Sequence, residues 1–297
     1  MRKSDVLRKR EALLKLCPSV IPSQDRGPIH IAQWGATGST VLMIHGGVQG
    51  GLGGGPVNFS GQAPLAEQGW VLRLPDRPGF GKTVSRGPDD QLADALWVSE
   101  ELGTSSHLIG HSFGGAIALL AAARRPEAVR SLILIEPALQ PMLTTNPLLL
   151  LKSGVRAALQ IVGEPLMRSD TPAEFARDFA ASLGTDGKGG PNPSAAALLE
   201  LPGRAETLGC AVLRARIASP DEMRKAADAV AKAGLPVAFV SGGYSPGQDA
   251  GCAAMADMMR AKHLVVSAPN HFIQQASPDA FNDFADTFMR EAEKNRA

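Results

Sequence analysis

"SSHLIGHSFGGAIALLAAARR", residues 105–125, passes from a short apolar run into an alanine-rich helical pattern within about four residues. Leu108 and Ile109 suit a buried strand, whereas Ile117, Leu119, Leu120 and Ala123 continue among strong helix formers. So tight a reversal crowds the backbone and drives its central residue, Ser112, toward positive φ, and Gly110, Gly114 and Gly115 supply the small neighbours this needs. The spacing is Gly-x-Ser-x-Gly. In that arrangement the serine hydroxyl stands above a sheet, and the first helix amides, that of Phe113 included, face an oxygen bonded beside it.

Outward from this elbow, strand-like runs recur: "IHIAQW" from 29, "TVLMIH" from 40, "WVLRLP" from 70 and "SLILIE" from 131. Helical segments at about 91–102 and 114–125 separate them, which predicts βαβ units and a mostly parallel sheet flanked by helices. The alternation then stops. Residues 137–218 hold helical patterns broken by proline and by the loop "GTDGKGGPNPS" at 184–194, and read as a helical insertion into a core formed by 1–136 and 219–297. Order returns at "SPDEMRKAADAVAKAG", where Ser219 and Glu222 form a capping box, Pro220 starts the helix and Gly234 can stop it. "LPVAFVSGG" and "KHLVVSAP" resume the strands, and Phe281, Phe284, Ala285 and Phe288 mark one face of a last helix.

Composition narrows the function classes. Thirty basic against 29 acidic residues leave no field to attract nucleic acid or an anionic membrane, so a small-molecule substrate is the expected partner, with homo-oligomerisation left open. The basic N-terminus, interrupted by Glu11 and Lys15, reads as a helical arm and not a signal peptide, and no run approaches the ~20 apolar residues of a membrane span. Cys17, Cys210 and Cys252 are odd in number and widely spaced. They read as idle thiols of a cytoplasmic protein, with neither a disulfide nor a metal site, and no cofactor is expected.

Ligands of open parallel sheets gather beyond the carboxyl ends of the strands. "HGGVQGGLGGGP" follows "TVLMIH", and its glycines let the amides of Gly47 or Val48 approach a substrate oxygen. "DRPGFGKT" at 76–83 shapes the edge, with Asp76 as a loop brace. "NHF" follows "KHLVVSAP", placing His271 at a strand end where it could take the proton of Ser112. Of six histidines it alone combines a strand end with a late position; His45 and His111 sit in tight turns that suit packing.

The order "HGG", "DRPGFGKT", "GHSFGG" and a late "NHF" resembles the α/β-hydrolase superfamily, over nearly everything from about 28 to 290 except the insertion. The resemblance implies a helical cap inserted after the sixth strand. It is nearest to the branch holding small-ester hydrolases and the carbon–carbon bond hydrolases of aromatic-ring degradation. Relatives of this kind commonly carry a triad aspartate after the seventh strand in a Gly-x-x-Asp pattern, where "SGGYSPGQDA" offers Ser245. Asp249 lies four residues on, while Glu136 ends "LILIEP" at the place where certain haloalkane dehalogenases keep their acid. Glu136 is preferred because it follows its strand directly and Pro137 fixes the exit; Asp249 remains the alternative.

These features point to a serine hydrolase: Ser112 as nucleophile, His271 as base, and the amides of Gly47 and Phe113 (or Val48) around an oxyanion. The expected substrate is a small, apolar ester or lactone, with the first part of the cap, 148–162, either lining its pocket or packing on the core. A carbon–carbon bond hydrolase is the alternative, and a low-turnover ligand-binding homologue, supported by Ser245 standing where the acid is usual, is the rival from another class.

Overall fold

The structure, a computed structural model, describes residues 3–19, 27–51, 53–184 and 195–295. The expected loop at 185–194 lies outside the described residues. Helix α1 (Lys3–Leu14) precedes strands β1 (Ile31–Trp34) and β2 (Ser39–Ile44), short helices α2 (Gly55–Asn58) and α3 (Ala63–Glu67), and strand β3 (Trp70–Pro75). Long helices then alternate with strands through α4 (Gln91–Glu101), β4 (Ser106–His111), α5 (Phe113–Arg124) and β5 (Val129–Ile135). Four helices follow with no strand among the described residues: α6 (Ser153–Arg168), α7 (Pro172–Ser182), α8 (Ala195–Leu199) and α9 (Arg204–Arg214). Alternation resumes with α10 (Pro220–Lys232), β6 (Val237–Ser241), α11 (Pro246–Met259) and β7 (Lys262–Val265), and α12 (Ile273–Ala276) and α13 (Pro278–Lys294) come last.

The seven strands form one sheet in the order β1-β3-β2-β4-β5-β6-β7, parallel except for β1, which runs antiparallel to β3. The helical insertion follows the fifth strand of this chain, one earlier than the resemblance implies, because no described residue before Ile31 joins the sheet. From β2 the chain crosses one way to β3 and the other way to β4. That reversal opens a crevice at the carboxyl ends of β2 and β4, the place where a doubly wound sheet receives its ligand.

Strand residues alternate between two apolar layers. Leu42, Ile44, Leu108 and Phe239 face α4, α5, α10 and α11, while Val41, Met43, Ile109 and Val240 face Phe59, Trp70 and α13. On α13, Phe281, Ala285 and Phe288 are buried and Phe284 half-buried against the same layer. Burial on both sides is why β4, β5 and β6 read as almost continuous apolar runs. The capping box of Ser219 and Glu222 is formed at the start of α10.

One expectation needs correction. Cys17 and Cys210 are joined as a disulfide between the segment after α1 and helix α9, leaving Cys252 as a free, buried thiol. Idle thiols were the expectation because the pair lies 193 positions apart and their sequence spacing carries no signal; the argument for a reducing compartment loses its basis. The arm is also held by Arg10, which donates to the Leu213 carbonyl at 2.6 Å and to that of Ala215 at 3.2 Å at the end of α9. The first part of the insertion packs on the core: Leu139, Met142, Leu143, Leu149, Val155 and Ala158 join the layer over α10 and α11. Among the described residues no helix is long and apolar enough to cross a membrane.

Candidate active site

Ser112 occupies φ 54°, ψ −121° between β4 and α5, the strained elbow its neighbours predict. Its amide donates to the Ile135 carbonyl at 2.9 Å, and its carbonyl accepts from Ala138 at 2.9 Å, so the elbow is stitched to the end of β5. The glycines are sterically required. A Cβ on Gly110 would lie 2.6 Å from the Gly114 carbonyl oxygen, and one on Gly46 would lie 2.7 Å from the Ser112 Cβ. The loop after β2 can thus lie against the serine only because Gly46 has no side chain.

Glu136, the residue after β5, also has positive φ, 35°, and its side chain is buried. Oε2 accepts from the His271 ring Nδ1 at 2.6 Å and from the Tyr244 hydroxyl at 2.8 Å, and Oε1 accepts from the Gly242 amide at 3.0 Å. Proton donation from Nδ1 leaves Nε2 as the basic nitrogen of His271. That nitrogen is buried without a hydrogen-bond partner among the described residues, so the Ser112 hydroxyl does not bond it in this structure. The backbone around the ring is fixed on both sides: the His271 amide donates to the Leu183 carbonyl at 3.1 Å, and its carbonyl accepts from His111 Nε2 at 3.0 Å. Burial first, and then the neighbouring His271, hold His111 well below the usual histidine range, so it is a neutral donor.

Asp249 is elsewhere. It sits in the first turn of α11, accepts from the Gly243 amide at 3.1 Å and does not reach His271; Ser245 is the N-cap of that helix. Of the two carboxylates read from the sequence, the structure brings Glu136 to His271.

On the other side of Ser112, the fully buried Arg77 holds the loop of Gly46 and Gly47. Its guanidinium donates to the Gly47 carbonyl at 3.1 Å and the Gly46 carbonyl at 3.4 Å, to Asp89 at 2.5 Å and to Asp94 at 3.0 Å. Since C=O and N–H of a trans peptide point opposite ways, carbonyls tied to Arg77 turn the Gly47 and Val48 amides away from it. Gly47 has φ 78° and open space where a Cβ would be. The Phe113 amide begins α5, and its ring lies under the Arg77 guanidinium, 4.6 Å from ring centre. His45 completes the brace: Nδ1 donates to the Gly46 carbonyl at 2.9 Å and Nε2 accepts from the Arg77 amide at 3.1 Å. Burial, with Arg77's charge adding to it, pushes His45 down to about 3. Asp76 braces the neighbouring turn, accepting from the Gly55 and Lys82 amides at 3.0 and 2.9 Å.

A cavity of about 120 Å³ adjoins these groups. Gly46, Gly47, Val48 and Phe272 form its inner wall, and Phe179 and Leu183 at the end of α7 and Leu208 and Val212 of α9 form its outer wall. Among the described residues lining it, Asn58 is the one with a polar side chain and none is charged. Residues 148–162 are not among its lining residues, and of the two roles left open for that segment the packing one is seen: α6 packs against α11, while α7 and α9 supply the wall. Tyr244, Arg77 and Leu183 were not identified from sequence. Tyr244 left one signal, as the sole tyrosine of the chain in the loop where an acid was expected.

Comparison with known proteins agrees with this architecture. The family described as alpha/beta hydrolase fold matches residues 39–191, just over half of the chain. A 2-hydroxy-6-oxo-6-phenylhexa-2,4-dienoate hydrolase of Burkholderia cepacia is 30% identical over 152 residues, 48% of this chain and 50% of that protein. Lipase 3 of Moraxella sp. (strain TA144) is 36% identical over 109 residues, 34% of this chain and 33% of that one. The chain thus spans half or less of the length of these curated relatives. Among solved structures, a thermophilic esterase from Thermogutta terrifontis superposes with a TM-score of 0.61 at 19% identity, covering 91% of this chain and 97% of the esterase, a likeness of fold.

Proposed function

Because the chain belongs to the α/β-hydrolase fold family, we propose that it is a serine hydrolase acting on neutral, apolar esters or lactones. In this reading the Ser112 hydroxyl attacks the substrate carbonyl and gives its proton to Nε2 of His271. Glu136 stabilises the resulting imidazolium, and the amides of Gly47 and Phe113, with Val48 as the alternative to Gly47, hold the oxyanion. Collapse of the tetrahedral intermediate expels the alcohol, protonated by His271, and water then releases the acid from the acyl-enzyme by the same steps.

The observation that carries the proposal is the buried Glu136–His271 pair at 2.6 Å, with Nε2 left unpartnered beside a strained serine elbow. The lack of charge among the described lining residues supports a neutral acyl group. It also weighs against the second reading, which the dienoate hydrolase favours by its sequence. A dienoate carries a carboxylate that a buried site must neutralise, and the buried guanidinium among the described residues, that of Arg77, is already committed to Asp89 and Asp94. The low-turnover binding reading rested on the absence of an aspartate at Ser245, and Glu136 removes that reason.

The test is a panel of p-nitrophenyl esters of rising chain length, with lactones and a ring-cleavage dienoate alongside, on wild type and on Ser112→Ala. Turnover of neutral esters that disappears in the variant, together with fluorophosphonate labelling of wild type only, supports the proposal. Faster turnover of the dienoate than of any ester, or full activity in Ser112→Ala, would sink it. Phe179→Ala and Leu208→Ala should shift chain-length preference more than turnover of the smallest ester.

A further inference from the structure

Glu136 accepts three hydrogen bonds, and two of them come from the loop after β6, where the family resemblance implies the acid itself. The Gly242 amide holds Oε1, while the Tyr244 hydroxyl and the His271 ring share Oε2, at 2.8 and 2.6 Å. We infer that Tyr244 is a positioning residue of the acid–base pair: its hydroxyl fixes the Glu136 carboxylate toward His271 and moderates how strongly that carboxylate raises the basicity of the ring. The inference rests on the serine-hydrolase reading.

The physical need is plain. A glutamate has one more rotatable side-chain bond than an aspartate, and its carboxylate must still present one oxygen to the imidazole. The Gly242 amide alone pins one oxygen and leaves the plane free to turn; a second donor on Oε2 fixes it. Tyr244 is suited to that task because glycine backbone lies close to both edges of its ring. A Cβ on Gly242 would lie 2.8 Å from one edge carbon of the ring and a Cβ on Gly184 3.1 Å from another, so the ring is clamped between the loop after β6 and the end of α7. Burial and then the Glu136 charge push the phenol far above its ordinary value, and it remains a donor throughout the working range.

The bond also has an electronic consequence. Charge donated into the phenol is withdrawn from Oε2, so the carboxylate attracts the imidazolium less, and His271 protonates at lower pH than it would without Tyr244. Few other titratable groups are near the pair. His111 at the end of β4 is held neutral; Cys252 on α11, whose thiol burial pushes well up, stays protonated; and Asp249 on α11 is tied to the Gly243 amide.

Tyr244 is the sole tyrosine of the chain, which permits two opposed changes at one site. Tyr244→Phe keeps the clamped ring and deletes the donor. On the best neutral ester, kcat should fall on the order of tenfold with KM within about twofold, as expected for one hydrogen bond to a charged group outside the cavity. The acid limb of kcat/KM should move to higher pH. Growth with 3-fluorotyrosine replaces the same residue by a more acidic phenol and a stronger donor, and the limb should move to lower pH. Opposite displacements support the inference, since a purely structural role cannot produce them. If Tyr244→Phe does not fold, the fluorotyrosine protein still decides, because a limb that stays in place overturns the proposal. The reading beneath it is separable. Inactive Ser112→Ala and Glu136→Gln beside unchanged Tyr244 variants reject Tyr244 alone, whereas an active Ser112→Ala rejects both.

Discussion

Arg77 and Glu136 are both charged, both buried and both near strand ends beside Ser112, yet their surroundings differ in kind. The Arg77 guanidinium has two carboxylates, two carbonyls and the rings of Phe80 and Phe113 around it. Its charge is answered within the folded chain. Glu136 has only neutral donors, and the ring it contacts keeps one nitrogen unpartnered. In the proposed reaction its countercharge is the proton that Ser112 gives to His271. A buried charge compensated at rest makes a stiff scaffold, and one compensated during reaction can favour a transition state over the ground state.

Exchanging the charges tests that contrast. Glu136→Gln should lower kcat on the best ester by ~10³ to 10⁴-fold, judging from the equivalent change in serine proteases, while the unfolding free energy in urea moves by at most ~1–2 kcal/mol. A loss smaller than tenfold would place Glu136 outside the chemistry. Arg77→Met should show the reverse pattern. It leaves Asp89 and Asp94 buried without their partner, at a cost of ~3–5 kcal/mol in stability; burial already pushes the Asp89 carboxyl up against the pull of Arg77. The kcat of its folded fraction should fall less than in Glu136→Gln, and equal falls would erase the distinction.

Acid should loosen the scaffold through His45. Its folded value of about 3 lies below the ordinary 6.5, so the unfolded chain binds the proton first. The stabilisation is fully present above pH ~6.5 and declines as pH falls toward ~3, by up to ~1.4 kcal/mol per pH unit. Thermal unfolding of His45→Gln across this window should show a shallower pH dependence than wild type; parallel curves would remove His45 from the account. The smallest effect belongs to Asp249→Asn, which should change kcat by less than ~2-fold because its partner is an amide of its own loop.

Much of the core and the elbow was readable along the chain because local spacing carries them: Gly110, Ser112 and Gly114 encode a reversal, and the apolar runs encode strands. Which carboxylate meets His271 was not, since Glu136 and Asp249 both follow strands and only tertiary placement brings Glu136 to the ring. Tyr244 and Arg77 were missed for a related reason. Each acts through a partner in another loop or strand end, and sequence spacing does not register such meetings. The cap's role was open for a different reason: apolar positions in 148–162 announce burial but not against what, and α6 packs on α11 while α7 and α9 face the cavity.

The bond between Cys17 and Cys210 turns most of this chain into a covalent ring with a tail. The ring carries β1 to β5, Ser112, Glu136 and the insertion as far as α9; β6, β7, Tyr244 and His271 belong to the tail. Closing a loop between cysteines 193 positions apart removes unfolded-chain freedom equivalent to ~5 kcal/mol in the chain-entropy treatment. Ser112 and Glu136 are therefore confined together even when the chain unfolds, and His271 must find them from outside. The same bond joins a wall of the cavity to the N-terminal arm, so α9 cannot swing outward without carrying α1 with it.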